Sequence, residues 1–253
     1  MFAEIDQLKG MKIRKISSFR EVFSEIDGGR ILDVACGEGQ FIEILRTHLR
    51  SWEHITGLDV EQKYLLQAAG KFQGDRYSFM HGSSLKMPFE DSSFDLVSLS
   101  NGLHHVGDPD AALGEMQRVL KRGGYMVINE MYSNRLTESQ ISHRLYHHMH
   151  VEVDEILGIN HFFTFRREEI LRFIRRLNLS GQCIYEYQED QDDPMNAERI
   201  EEQSAKLDRM LEQLGGHAKY DYFYHKVEEL KKRFMKVGFS RAPQLVIIGR
   251  CQK

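Results

Sequence analysis

Two aspartates and two glycines in the first sixty residues have the types and the spacing of a nucleoside-binding turn. In ILDVACGEGQF, a strand that holds Asp33 turns through Gly37 and Gly39, so that backbone N–H groups at the start of a helix are open to a ligand. Asp59 ends the next apolar run, twenty residues after Gly39, where a carboxylate can accept both ribose hydroxyls. This spacing predicts a site for an adenosine-containing ligand.

The glycine pattern also separates two kinds of adenosine ligand. A dinucleotide site usually has a third glycine, but Ile42 stands in that place here. Asp33 is also a poor neighbour for a pyrophosphate and a good one for an ammonium and a sulfonium group. The favoured cofactor is therefore S-adenosylmethionine, with S-adenosylhomocysteine as its product, and a nicotinamide oxidoreductase is kept as an alternative.

The elements that position these residues follow from apolar runs alternating with helix-periodic stretches, a pattern typical of a mostly parallel α/β sheet. Strands are predicted over Ile31–Ala35, Ile55–Leu58, Tyr77–Met80, Phe94–Leu99, Tyr125–Asn129, Gln182–Tyr187 and Leu245–Gly249. Residues 132–161 and 189–237 interrupt the alternation, and both are predicted to be helical insertions.

The second insertion carries two amphipathic stripes separated by Gly215 and Gly216. Asp193 and Pro194 are predicted to cap the first helix of this pair and to form its first turn. A structural hairpin with a charged outer face is favoured, and a lid or a homodimer interface are the alternatives.

Four segments in order resemble the motifs of class I S-adenosylmethionine-dependent methyltransferases: LDVACGEG, GLDV, HGSSLKMPFEDSSFDLVSLSNGLHHVGDP and EMQRVLKRGGYMVINE. The resemblance implies a Rossmann-like, seven-stranded α/β sheet whose last strand is antiparallel, with helices on both faces and residues 1–253 forming a single methyltransferase domain. The first insertion, 132–161, would then cover the substrate site.

The resemblance also implies which residues hold the cofactor. Ser83 stands where many relatives carry an acid that accepts from the adenine amino group, so the backbone of Ser84 and Leu85 is expected to make that contact instead. The implied cofactor-binding residues are Asp33, Ala35, Cys36, Gly37, Gly39, Asp59, Val60, Ser83, Ser84, Leu85, Ser100 and Asn101.

Catalysis by such a protein requires alignment of the acceptor with an activated methyl group, and a base only where the acceptor must lose a proton. The loop after the fourth predicted strand offers His104 and His105. Packing or capping is the competing role for at least one of them. The candidate catalytic residues are His104, His147 and His150.

The first insertion has a histidine-rich helix. His143, His147, His150 and Asp154 recur at helical spacing and share one face. The apolar residues Ile141, Leu145, Met149 and Ile156 mark the opposite face, so the histidines are expected to face water. A base in the substrate pocket and a metal site are the alternatives, although no metal is assigned.

Composition limits the class of partner. The chain has 34 basic and 38 acidic residues. This balance does not indicate the basic surface that binding to nucleic acid would need. Its apolar runs are short and its three cysteines scattered, which predicts no membrane association and a reducing, cytoplasmic location. The predicted function is methyl transfer to a small-molecule acceptor; a catalytically silent cofactor-binding regulator is the alternative.

Overall fold

The computed structural model describes residues 13–159, 161–189 and 193–252. The chain forms two compact units. The first contains the described residues of Met1–Glu130, Glu168–Tyr187 and Gln244–Lys253, and the second those of Met131–Arg167 and Gln188–Pro243.

The first unit is built on one sheet. Its strands are β1 (Ile13–Ile16), β2 (Arg30–Val34), β3 (His54–Asp59), β4 (Tyr77–His81), β5 (Phe94–Ser100), β6 (Leu120–Met131), β7 (Leu179–Tyr187) and β8 (Gln244–Cys251). Their order across the sheet is β1-β7-β8-β6-β5-β2-β3-β4. β8 runs antiparallel to β7, whereas the β2–β3, β2–β5 and β5–β6 pairs are parallel. The predicted α/β sheet with an antiparallel last strand is confirmed.

The predicted number of seven strands is wrong, because the described residues form eight. The additional strand is β1, which pairs in parallel with β7 and places Ile13 opposite Ile184. It is four residues long, with the sequence IRKI, and lies at the edge of the sheet. A short edge strand with two central charges has no apolar run that sequence reasoning could detect.

Helices follow most of the strands. The described α-helices are α1 (Arg20–Phe23), α2 (Gln40–His48), α3 (Gln62–Lys71), α4 (Pro109–Val119), α5 (Glu138–Ile156), α6 (Arg167–Arg175), α7 (Ala197–Glu212) and α8 (Tyr220–Val237). Helix α4 begins where Asp108 accepts a hydrogen bond from the Ala111 N–H and Pro109 occupies the first turn, as is common at helix starts. The central strands β2, β3 and β5 bury nearly continuous apolar runs, as expected for a sheet covered on both faces.

The second unit is a bundle of α5, α7 and α8. Its core contains Met149 and Val153 from α5, Leu207 and Leu211 from α7, and Phe234 from α8. Thr137 and Gln140 form a reciprocal capping box that starts α5. The predicted cap of α7 at Asp193 is wrong, since α7 starts at Ala197 and Asn196 accepts from the Arg199 N–H.

Among the described residues, no helix is both long enough and apolar enough to cross a bilayer.

Candidate functional site

The turn between β2 and α2 gives its two glycines different roles. Gly37 and Gly39 both have positive φ angles, of 52° and 83°. A Cβ on Gly39 would lie 2.4 Å from a ring carbon of Phe72, whereas the nearest atom to a Cβ on Gly37 is a Gln40 oxygen at 3.7 Å. Gly39 is therefore required by packing and backbone conformation, and Gly37 leaves open space beside the main chain.

Ala35 occupies a left-handed conformation in the same turn, with φ of 52°. This conformation is unfavourable for a residue that has a Cβ. The Ala35 Cβ atom lies 3.0 Å from the position that a Cβ on Gly102 would take. The turn after β2 is thus packed against the loop after β5.

Asp59 joins the end of β3 to the glycine turn. Its Oδ2 accepts from the Gly37 N–H at 2.8 Å, and its Oδ1 accepts from the Glu61 N–H at 2.8 Å. The residue is largely buried. Each carboxylate oxygen can accept a further hydrogen bond, so Asp59 can hold the turn and still accept from a diol.

Asp33 is the buried acid of the site. It is 1% exposed, and its Oδ1 accepts from the Ser98 hydroxyl at 2.7 Å. Among the described residues its Oδ2 has no hydrogen-bond partner. Burial raises the pKa of Asp33 to about 7, the Ser98 hydrogen bond opposes this rise, and the nearby Asp59 adds to it.

Cys36 has a structural role in the turn. Its backbone N–H donates to the Leu58 carbonyl at 3.0 Å, and its side chain is buried. Burial, together with the charges of Asp33 and Asp59, raises the pKa of the Cys36 thiol above its ordinary range. The thiol is therefore unsuited to act as a nucleophile.

The residues that follow β3 and β4 lie next to Asp59. The Gly82 N–H donates to the Asp59 carbonyl at 2.9 Å, and the His81 ring bonds the Val60 carbonyl at 2.9 Å. Val60 and Leu85 expose 58% and 43% of their surface here. Two accessible apolar side chains beside Asp59 are suited to contact a flat base.

The segment expected to bind adenine is internally bonded. Ser83 accepts from the Leu85 N–H through its hydroxyl at 3.1 Å and from the Lys86 N–H through its carbonyl at 3.3 Å. An adenine acceptor would have to compete with Ser83 for the Leu85 N–H. Ser84 is half-buried next to this turn, and its contact with adenine stays a prediction.

The loop after β5 is held by β6. The Asn101 N–H donates to the Asn129 carbonyl at 2.7 Å, and the Asn129 amide donates to the Ser100 hydroxyl at 2.9 Å. Asn101 has a φ angle of 47°, a conformation that asparagine tolerates better than most residues. These contacts fix the position of residues 102–105.

His104 and Glu130 form a buried pair in this loop. Their exposed fractions are 1% and 0%. The His104 Nδ1 and a Glu130 carboxylate oxygen form a short hydrogen bond, and the other Glu130 oxygen accepts from the Leu103 N–H at 3.0 Å. With Nδ1 as the donor to Glu130, Nε2 is the basic atom of the ring.

The histidines of α5 lie in the second unit, and the prediction that they face water is wrong. His143, His147 and His150 are all half-buried, whereas Leu145, expected on the apolar face, is 37% exposed. Met149, which was predicted on the apolar face, does enter the bundle core, together with Val153, which was not.

Within the second unit, His143, His150 and Asp154 of the histidine-rich face each form a hydrogen bond. His143 Nδ1 accepts from the Ala242 N–H at 2.9 Å. His150 bonds the Tyr146 hydroxyl at 3.1 Å, and Asp154 bonds the His161 ring at 2.6 Å. These separate pairings give the three side chains structural roles.

Burial changes the protonation of this face. Desolvation lowers the pKa of His143 to about 4 and also lowers the pKa of His150. It raises the pKa of Tyr146 to about 12. The His147 ring lies 4.8 Å from the His161 ring, centroid to centroid.

Ser98 was not identified from sequence, although it is the hydrogen-bond partner of Asp33. In the sequence, Ser98 is a serine within the apolar run FDLVSLS. A serine at a half-exposed strand position would give the same pattern. The register that pairs Asp33 with Ser98 gives this serine its role. Sequence alone does not provide that register.

Comparison with known proteins identifies a domain within the first unit. Residues 32–128 match a family whose description is "Methyltransferase domain", and this range includes Asp33, Gly37, Asp59 and His104, whereas Glu130 lies just beyond it. Residues 32–128 are therefore a methyltransferase domain, in the region where the sequence motifs resemble those of class I S-adenosylmethionine-dependent methyltransferases. The demethylmenaquinone methyltransferase of Staphylococcus aureus strain MRSA252 is 38% identical over 104 residues, which are 41% of this chain and 43% of that protein. The chain thus matches less than half the length of its curated relatives.

Solved methyltransferase structures share the fold at low sequence identity. A chain from the complex of the Haloferax volcanii Trm112 methyltransferase activator with a methyltransferase has a TM-score of 0.58 and 19% identity, covering 92% of this chain and 87% of that one. Haemonchus contortus phosphoethanolamine N-methyltransferase 2, bound to phosphomonomethylethanolamine and S-adenosylhomocysteine, has a TM-score of 0.53 and 16% identity over 99% of this chain and 52% of that one. These likenesses concern the methyltransferase fold alone.

Proposed function

We propose that this methyltransferase transfers a methyl group from S-adenosylmethionine to a small-molecule acceptor. The observation that carries the proposal is the convergence of Asp33, Gly37 and Asp59 at the carboxyl ends of β2 and β3. Ligands of open α/β sheets bind at this edge.

The residues present fit this cofactor. Asp59 has acceptor capacity beyond its two backbone hydrogen bonds, which suits ribose hydroxyls. Asp33 has a buried oxygen without a partner among the described residues, which suits a cationic group. Gly37 leaves room for close approach, and Val60 offers an apolar surface for the adenine. Cys36 and Gly39 shape the turn.

When bound, S-adenosylmethionine supplies a methyl group on a sulfonium, which is already activated for displacement. The protein's own part is to hold the acceptor in line, exclude water and take a proton where the acceptor has one to lose. We assign proton acceptance to His104 Nε2. Glu130 holds Nδ1–H and lies beside the positive charge that the ring would gain.

One relative suggests a class of methyl acceptor. The Staphylococcus aureus protein is named for demethylmenaquinone, so a quinol of that type is the first acceptor to test, followed by phenols, amines and thiols. A proton-accepting histidine favours an acceptor that must be deprotonated over a thiolate that is already ionised. The contribution of 132–161 to the acceptor site and a homodimer through 189–237 remain predictions.

The test is an acceptor panel with detection by mass. Incubation with S-adenosylmethionine should give a product about 14 daltons heavier together with S-adenosylhomocysteine. An active-site variant, Asp59→Ala, provides the background. Tight binding of S-adenosylhomocysteine with no turnover on any acceptor would favour the silent regulator. A stabilising melting shift with a nicotinamide dinucleotide alone would favour the oxidoreductase.

A further inference from the structure

Asp33 is an acid whose surroundings stabilise its neutral form. It is 1% exposed, and its carboxyl group accepts one hydrogen bond, from Ser98 at 2.7 Å. The second oxygen, Oδ2, has no partner within the described part of the chain. A buried carboxylate with one hydrogen bond is poorly stabilised, whereas a carboxylic acid costs much less to bury.

The nearest titratable groups also favour the neutral form of Asp33. Asp59, at the end of the adjacent β3, has both oxygens bonded to backbone N–H groups. Its negative charge opposes ionisation of Asp33. The other titratable neighbour, the Cys36 thiol, stays neutral because burial raises its pKa. No basic side chain of the described residues is among the groups that act on Asp33.

Bound S-adenosylmethionine would favour the ionised form of Asp33 instead. S-adenosylmethionine carries an ammonium and a sulfonium against one carboxylate, so that it brings a net positive charge toward the acids. A cation near Asp33 favours its ionised form.

We propose that Asp33 is protonated when the site is empty of cofactor and gives its proton to solvent when S-adenosylmethionine binds. The O–H bond of the Asp33 carboxyl breaks, its electron pair stays on the carboxylate, and the proton passes to the buffer. This inference rests on the proposed cofactor. It makes Asp33 a residue that couples cofactor affinity to pH.

The amount of proton released follows from the free-state titration. Because the pKa of Asp33 is about 7, about half a proton should leave at pH 7, nearly one at pH 6, and little at pH 8. Below pH 7 the dissociation constant for S-adenosylmethionine should weaken about tenfold per pH unit. The ligand's own amino group titrates near pH 8, and its protonation would cause uptake, which has the opposite sign.

Isothermal calorimetry in buffers of different ionisation enthalpy measures this release directly and needs no turnover. For the parent protein at pH 6, the observed enthalpy should depend on the buffer with a slope of nearly one proton released. Asp33→Asn keeps the size of the side chain without its ionisation, so it should remove the slope while leaving the contribution of the ligand. Ser98→Ala is the matched variant: removing the hydrogen bond that favours ionisation should extend the release to higher pH.

The outcomes separate the inference from the proposed function. Measurable binding at pH 6 with no buffer dependence would overturn the inference and leave the cofactor assignment intact. A slope that persists in Asp33→Asn would also overturn it. No binding of either S-adenosylmethionine or S-adenosylhomocysteine at any pH would overturn both. If Asp33→Asn does not fold, as judged by circular dichroism, the parent series and Ser98→Ala carry the test.

Discussion

The Asp59 carboxylate accepts a hydrogen bond from the Gly37 N–H, 22 residues earlier in the chain, at 2.8 Å. One acid therefore fixes the conformation of the glycine turn and has remaining acceptor capacity for the proposed ribose hydroxyls. The two roles belong to different oxygen lone pairs of the same carboxylate.

Asp59→Ala should weaken S-adenosylmethionine binding about ten- to a hundredfold, because charge-assisted hydrogen bonds worth roughly 1.5–3 kcal/mol are lost. It should also lower the free energy of unfolding by about 1–3 kcal/mol, since the Gly37 N–H loses its acceptor. Calorimetry and urea denaturation measure the two effects. Asp75→Ala, at an exposed position, is the control. An unchanged dissociation constant would refute the ribose assignment.

The two glycines of the turn should respond differently to substitution. Gly37→Val places a branched side chain in open space, so the protein should fold with a modest loss of stability from the positive φ, and cofactor binding should be lost. Gly39→Ala should destabilise the fold itself, because its Cβ would meet the Phe72 ring at 2.4 Å. Thermal melting and cofactor titration distinguish these effects. Retained binding by Gly37→Val would refute its proposed role.

The strands of the first unit were predictable because each central strand is an apolar run with no competing pattern. Ile31–Ala35 was predicted and Arg30–Val34 is observed, a difference of one residue. β1 was not predictable, because its identity depends on β7, which lies more than 160 residues later. Long-range pairing carries no local signal.

Helix α5 shows a second limit of prediction from sequence. The four apolar residues Ile141, Leu145, Met149 and Ile156 have helical spacing, but tertiary partners decide which face is buried. Contacts with α7 and α8, more than 40 residues later, bury Met149 and Val153 and leave Leu145 exposed. The acids and glycines around the turn after β2 could be selected from their spacing in the sequence, and their cofactor role stays a prediction; Ser98 could not be selected in this way.

Acid should destabilise the protein through His143. Its folded-state pKa is about 4, below the ordinary unfolded value of about 6.5, so the unfolded chain binds more protons between these values. Stability is therefore fully present above pH 6.5 and decreases as the pH falls toward 4. The total loss from this group is about 3 kcal/mol.

His143→Gln removes the titration while its amide oxygen can still accept a hydrogen bond. The free energy of unfolding of this variant, measured by urea between pH 4 and 7, should fall less steeply with acid than that of the parent. His225→Gln, on an exposed position of α8, is the control. Equal slopes for parent and His143→Gln would contradict the neutral, buried state of His143.

The His104 and Glu130 pair predicts selective loss of turnover. On an acceptor that must lose a proton, His104→Ala should lower kcat about 10²- to 10⁴-fold, with the cofactor dissociation constant nearly unchanged. Glu130→Gln should have a smaller effect in the same direction, because the ring loses the carboxylate that supports its positive charge. Both losses should shrink on acceptors that are already ionised.

The control for this pair is His105→Gln, because His105 is exposed and its ring lies 4.3 Å from that of His104. Steady-state rates over a series of acceptors of graded acidity separate a base from a merely structural residue. An equal loss on ionised and neutral acceptors would argue that the pair only holds the loop in place.

The histidines of α5 give the last prediction. If residues 132–161 contribute to the acceptor site as proposed, His147→Ala and His150→Ala should each lower turnover, and cofactor affinity should stay nearly intact because the proposed cofactor residues all belong to the first unit. Tyr146→Phe removes the hydroxyl that bonds His150 and keeps the aromatic packing, so it separates loss of that hydrogen bond from loss of the imidazole. His225→Ala serves as the exposed control. If both histidine variants keep the parent kcat on an identified acceptor, and chelators have no effect, these side chains only stabilise the bundle and His104 is the remaining candidate base.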